Sequence, residues 1–153
     1  MPIYFLDSSA LAKRYIAETG SIWVAGIMHP SAANQIQVAR ISGAEVMAAI
    51  ARRIRSGNLS QQAGRDAISQ FRADFATLQD LVEISPTLVA HAMDLAERSA
   101  LRGYDAVQLA AALAVHEAAL AIGFSASLVS ADDELNAAAI AEGLQVENPN
   151  LQP

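Results

Sequence analysis

The chain has 153 residues, of which 53% are hydrophobic and 17% charged, with a net charge of -6 and no cysteine. So much apolar side chain excludes a disordered tail, and the length excludes a second full domain. The acidic balance excludes a general polyanion-binding surface, and the missing cysteines leave oxygen and imidazole as the only metal-ligand chemistry, as suits a reducing cytoplasm.

The opening MPIYFLDSSALAKRYIAETG has no basic segment ahead of an apolar stretch, so it does not read as a secretory signal. Ile3 to Leu6 is a short apolar run ending at Asp7, the pattern of a buried strand that presents an acid at its carboxyl end. Ser8 or Ser9 can cap a helix to about Ala17, and a second helix is predicted from Ser21 to Met28, before Pro30. Alternation and β-branched residues predict a strand over Gln35 to Ile41.

Ser42 begins SGAEVMAAIARRIRSG, a helix with Arg52, Arg53 and Arg55 near its negative end and Gly57 as its stop. A helical hairpin follows, its second arm capped by Ser60 and carrying Ala67, Phe71 and Phe75 at helical spacing. Leu81 to Ile84 reads as a brief strand, and Ser85-Pro86 opens a helix to about Ala100, broken off by Gly103. Tyr104 to Leu120 is almost free of charge and therefore predicted to be a central, buried helix; Gln108, His116 and Glu117 make it too polar to span a membrane. A strand over Leu128 to Ala131 again ends at an acid, Asp132. The last helix, about Asp133 to Glu142, precedes an edge strand at Leu144 to Val146. Strands alternating with helices predict a mostly parallel sheet covered on both faces, a three-layer α/β/α fold.

In such sheets the functional crevice lies beyond the carboxyl ends of the strands, where Asp7 and Asp132 fall. Each acid also has a plain structural reading. Asp7 can cap the helix that follows it, and Asp132, Asp133 and Glu134 all suit a helix N-terminus. Glu45 stands three residues after Ser42, the spacing of a capping box, and Asp105 occupies a cap-like position before the apolar Ala106, Val107 and Leu109. Several carboxylates converging on one cleft stay ionised beside a hard divalent cation, and oxygen-only donors favour magnesium or manganese. That chemistry suits phosphodiester hydrolysis.

On these residues the chain resembles the PIN-domain ribonucleases, most closely the VapC toxins of bacterial and archaeal toxin-antitoxin pairs. The resemblance rests on YFLDSSALAKRYIAETGS, ISGAEVMAAIARR, RGYDAVQLAAAL and LVSADDELNAAAIAEGLQV, in the family's order and spacing over nearly the whole chain. It implies a PIN-like fold and makes Asp7, Glu45 and Asp105 the first three catalytic, metal-binding acids and Asp132 the fourth, three residues before Leu135, with Asp133 as alternate. Ser8, Ser9 and Ser130 fall on the family's hydroxyl positions, as supporting donors or as simple helix caps. The resemblance further implies a Mg2+- or Mn2+-dependent endoribonuclease acting on RNA, a VapB-like antitoxin whose C-terminal segment covers the cleft, and a homodimer. Lys13, Arg14, Arg52, Arg53, Arg55 and Arg102 are candidates for phosphate contacts, or solvated helix faces.

Competing assignments fit less well. A haloacid-type phosphatase needs an Asp where Ser9 stands, and a receiver domain needs a late lysine, whereas the sole lysine is Lys13. His116-Glu117 begins a zinc-protease motif, but Leu120 occupies the second histidine's place. His29 and His91 lack partners for acid-base work. The remaining rival is a non-catalytic PIN-like module that binds RNA or antitoxin without cutting.

Overall fold

The computed structural model describes residues 1–152. Five strands, β1 (Ile3–Leu6), β2 (Gln35–Ala39), β3 (Leu81–Val82), β4 (Ala126–Val129) and β5 (Gln145–Glu147), form one parallel sheet in the order β3-β2-β1-β4-β5. Seven α-helices are described: α1 (Ser8–Ala12), α2 (Ser21–Ile27), α3 (Ser42–Arg55), α4 (Gln61–Thr77), α5 (Pro86–Ser99), α6 (Gly103–Ala121) and α7 (Asp133–Ala141). The chain winds outward from β1 through β2 to β3, then returns through α5 and α6 to lay β4 on the other side of β1. The winding therefore reverses beside β1, which makes the carboxyl ends of β1 and β4 the place where a crevice opens.

Period-two alternation along the strands divides the core. Ile3 and Phe5 of β1, with Ala126 and Leu128 of β4, face a cluster built on α5, α6 and α7. Leu6, Val38 and Val129 face the opposite cluster, built on α1, α3 and α4. Phe5, Leu6, Leu11, Ile50, Leu109 and Leu135 are fully buried, and each such side chain contributes about 1.5 to 3 kcal/mol by leaving water. This is the three-layer α/β/α arrangement with helices on both faces. The two- and three-residue edge strands β3 and β5 offer little unpaired backbone to other chains.

Several boundaries differ from the sequence pattern. The first helix stops at Ala12, where the backbone tightens into i to i-3 bonds (Lys13, Arg14 and Tyr15 N–H to the Ala10, Leu11 and Ala12 carbonyls); Lys13 turns inward, 5% exposed, and donates to Glu18 (3.0 Å) and to the Thr19 carbonyl (2.9 Å). β4 starts and ends two residues earlier than the apolar pattern suggests, so Ser130 and Ala131 lie beyond the strand, with the Ser130 N–H donating to the Glu147 carbonyl. β2 ends at Ala39 and β3 at Val82, and the edge strand is displaced by one residue. Gly103 is the first residue of α6, not the breaker of α5; Ala100, in a left-handed conformation, ends α5.

Candidate active site

Asp7 follows the last residue of β1, and its N–H donates to the Val129 carbonyl of β4. It is the N-cap of α1: Oδ1 accepts from the Ala10 N–H at 2.9 Å. The same carboxylate accepts from Ser9 Oγ (2.7 and 2.9 Å) and from Ser130 Oγ (3.0 Å). The side chain is 3% exposed, and none of the described ion pairs includes it. Burial pushes its pKa up from 3.8 to about 6, with Asp132 adding repulsion and the three hydrogen-bond donors opposing the rise.

Ser42 is the first residue of α3, but no capping box forms there. The cap position is Ile41, without a side-chain bond, and Glu45 reaches across the fold instead. Glu45 Oε2 accepts from Ser8 Oγ of α1 at 2.8 Å, and Oε1 accepts from Gln108 Nε2 of α6 at 2.8 Å. Gln108 also donates to Ser42 Oγ at 3.0 Å. The reciprocal cap predicted from spacing thus loses to two donors that tertiary structure brings from other helices.

Asp105 lies in the first turn of α6, where the helix dipole favours a carboxylate. Its Oδ2 accepts from Arg102 Nε at 3.3 Å. Burial and then the charge of Asp132 raise its pKa, against the guanidinium. Asp132 is the N-cap of α7, its Oδ1 accepting from the Leu135 N–H at 2.9 Å while Oδ2 lies 3.9 Å from Arg102. Asp133 points elsewhere, accepting from Asn148 Nδ2 at 3.4 Å.

These groups meet at one cleft of about 1040 Å³, where Ser8, Ser9, Glu45, Asp105, Ala131 and Asp132 are lining residues and Asp7 is buried immediately behind the two serines. Its other walls include Lys13, Glu18, Arg52, Arg53, Arg102 and Tyr104. Most of these bases already have partners. Lys13 and Arg53 share Glu18, whose burial alone would raise its pKa but whose two cationic partners bring it below the usual carboxylate range. Arg14, stacked on the Tyr15 ring, and Arg55 are not cleft-lining residues.

A divalent cation fits the donor chemistry, since every candidate ligand is a carboxylate or hydroxyl oxygen. Asp7 has no cationic partner, and Asp105 and Asp132 share only an exposed guanidinium. Among the described residues, no three acidic or histidine side chains stand together as a group able to hold one ion. None of the three histidines lines the cleft; His116 bonds the Ala126 carbonyl at 3.0 Å and His29 bonds Ser31.

Gln108 carries little weight in the sequence beyond interrupting an apolar stretch. Its signal was there nonetheless: a lone amide three residues after Asp105, on the same face of a helix otherwise apolar from Ala106 to Val115. Glu18, which neutralises two of the candidate phosphate contacts, had no such signal.

No family model matches the sequence. The chain is 33% identical over 153 residues, all of both proteins, to Ribonuclease VapC45 of Mycobacterium tuberculosis (strain CDC 1551 / Oshkosh) and equally to Ribonuclease VapC49 of Mycobacterium tuberculosis (strain ATCC 25618 / H37Rv). Its fold is similar to that of PAE2754 from Pyrobaculum aerophilum, with a TM-score of 0.64 and 18% identity, covering 99% of this chain and 86% of that one. VapBC2 from Rickettsia felis, solved bound to a DNA fragment from its promoter, aligns with a TM-score of 0.61 and 15% identity over 95% of this chain and 98% of its own. Full-length identity at this level, on a parallel sheet with Asp7 directly after its first strand, makes the chain a member of the VapC ribonuclease family.

Proposed function

We propose that this protein is an endoribonuclease toxin that hydrolyses RNA phosphodiester bonds with Mg2+ or Mn2+ and is inhibited by a cognate VapB-like antitoxin. The observation that carries the reading is the buried Asp7 carboxylate, without a cationic partner, set behind a cleft lined by Glu45, Asp105 and Asp132. These four residues would supply the oxygen donors for the ion, and their side chains would have to close on it from the separated positions they hold around the cleft here. When bound, it lowers the pKa of a water and offsets charge on the phosphodiester.

The chain's own residues prepare that event. Ser9 and Ser130 orient Asp7, and Ser8 and Gln108 orient Glu45. Arg102, exposed beside Asp105 and Asp132, is free to leave them for a substrate phosphate. Arg52, whose guanidinium has no ion pair among the described residues, supplies a second phosphate contact along the cleft. The partner in this reading is an antitoxin segment bearing a basic side chain for the same acids, and the protein pairs with a second copy of itself.

The test is cleavage of a labelled RNA pool by purified protein. Cleavage with Mg2+ or Mn2+, lost in EDTA, lost in Asp7→Asn and suppressed by the antitoxin encoded beside it, is the expected result. RNA retained but uncut under all metal conditions would favour the non-catalytic binding module instead.

A further inference from the structure

We infer that Gln108 is a positioning residue, fixing the Glu45 carboxylate in one orientation at the cleft; the role rests on the nuclease reading above. Gln108 is 1% exposed in the second turn of α6, one turn beyond Asp105. Its Nε2 uses its two hydrogens on Glu45 Oε1 and Ser42 Oγ, whereas its Oε1 is buried with no hydrogen-bond partner among the described residues. Turning the amide over would set that oxygen against the Glu45 carboxylate, acceptor against acceptor, so only one orientation is available.

An unpaired buried acceptor is costly, and Leu or Met at this position would fill the same space without that cost. What an apolar residue lacks is the pair of N–H donors. Ser8 approaches Glu45 from the other side and bonds Oε2, so donors from two separate helices hold the two oxygens of one carboxylate. A carboxylate anchored this way gives up its rotational freedom during folding and does not have to give it up when a cation or substrate arrives. Side-chain packing alone does not explain an amide here; an anchored Glu45 does.

The test uses the full chain with Mn2+ as probe, measuring ion affinity by calorimetry, apo-protein unfolding in EDTA, and RNA cleavage. Gln108→Met is expected to weaken Mn2+ binding by about 10- to 100-fold and to lower kcat with little change in KM, while cooperative unfolding is retained. In a Glu45→Ala background the same substitution should weaken Mn2+ by less than about twofold, since the anchored group is gone. Additive losses in the double variant, or Mn2+ affinity equal to the parent's, would overturn the role. If Gln108→Met does not fold, Ser8→Ala carries the test, because it removes the opposing anchor at a half-buried position. Unchanged Mn2+ affinity there overturns the claim that Glu45 needs anchoring. A parent protein that neither binds Mn2+ nor cuts RNA defeats the nuclease reading and this role with it, whereas a competent parent matched by Gln108→Met defeats this role alone.

Discussion

Ser130 Oγ donates to Asp7 Oδ2 at 3.0 Å and at the same time accepts from the Asp132 N–H at 3.1 Å. With its acceptor face engaged by backbone, the hydroxyl has its proton committed to Asp7. Ser9 repeats the arrangement, accepting from the Ala131 N–H at 2.9 Å and donating to the same carboxylate. Two serines thus stitch the ends of β1 and β4 together around one buried acid, at the place where the winding of the sheet reverses. None of Ser8, Ser9 and Ser130 caps a helix: Asp7 caps α1 and Asp132 caps α7, and the serine hydroxyls donate to Glu45 and Asp7 instead.

Burial of Asp7 has a cost that pH exposes. Below about pH 3.8 the group is protonated in both the folded and unfolded chain and contributes nothing to the difference. Between there and about 6 the unfolded chain releases its proton while the folded one holds it, so stability falls as pH rises and the penalty is complete above 6. Relative to the parent, the metal-free Asp7→Asn protein is expected to be about 1 to 3 kcal/mol more stable at pH 8 than it is near pH 4, on top of a pH-independent loss from the Ser130 hydroxyl left facing an amide N–H, and to lose RNA cleavage. Urea unfolding in EDTA at the two pH values measures the first effect, and a difference from the parent that is the same at both would contradict it.

Asp132 has a structural duty and a proposed functional one, and two substitutions separate them. Asp132→Asn keeps an oxygen for the Leu135 N–H and should leave stability nearly unchanged, while Asp132→Ala loses the cap of α7 and costs about 1 kcal/mol. Both should impair cleavage. Thermal unfolding alongside cleavage assays tests this, and an active Asp132→Asn would remove Asp132 from the catalytic group.

Glu18 holds Lys13 and Arg53 together at one wall of the cleft. Because its pKa is lowered on folding, its contribution is present above about pH 4.5 and disappears as pH falls through the folded value. Glu18→Gln is expected to cost about 1 to 2 kcal/mol at pH 7, a modest figure because the carboxylate is partly exposed and screened. Below that titration the variant and the parent should converge. Parallel stability profiles from pH 3 to 7 would show that the bridge contributes nothing.

Gly20 has φ +85°, and a Cβ built there would lie 2.3 Å from the Pro149 carbonyl oxygen, a backbone atom that cannot swing aside. Gly57 has a similar φ of +77° with open space around it. Gly57→Ala should therefore cost about 1 kcal/mol in backbone strain, and Gly20→Ala clearly more, about 3 kcal/mol, by adding a collision. Equal losses in chemical unfolding would mean that the Gly20–Pro149 contact yields freely.

Sequence alone was enough to determine the alternation of strands and helices, and with it the parallel sheet and its two covered faces. That follows because hydrophobic period is a local property: Ile3 to Leu6 and Tyr104 to Leu120 can be read without knowing their neighbours. The position of Asp7 directly after a strand is equally local, whereas Asp132, expected at the end of β4, lies past it as the cap of α7. Which donors each carboxylate meets is not local. Spacing paired Glu45 with Ser42, yet its partners are Ser8, 37 residues away, and Gln108, 63 residues away. Likewise Lys13 read as a surface base, until folding brought Glu18 and the Thr19 carbonyl around its ammonium group. A hydrogen bond is made to whichever donor lies within about 3 Å. Only the winding of the chain, reversing beside β1, decided which residues those were.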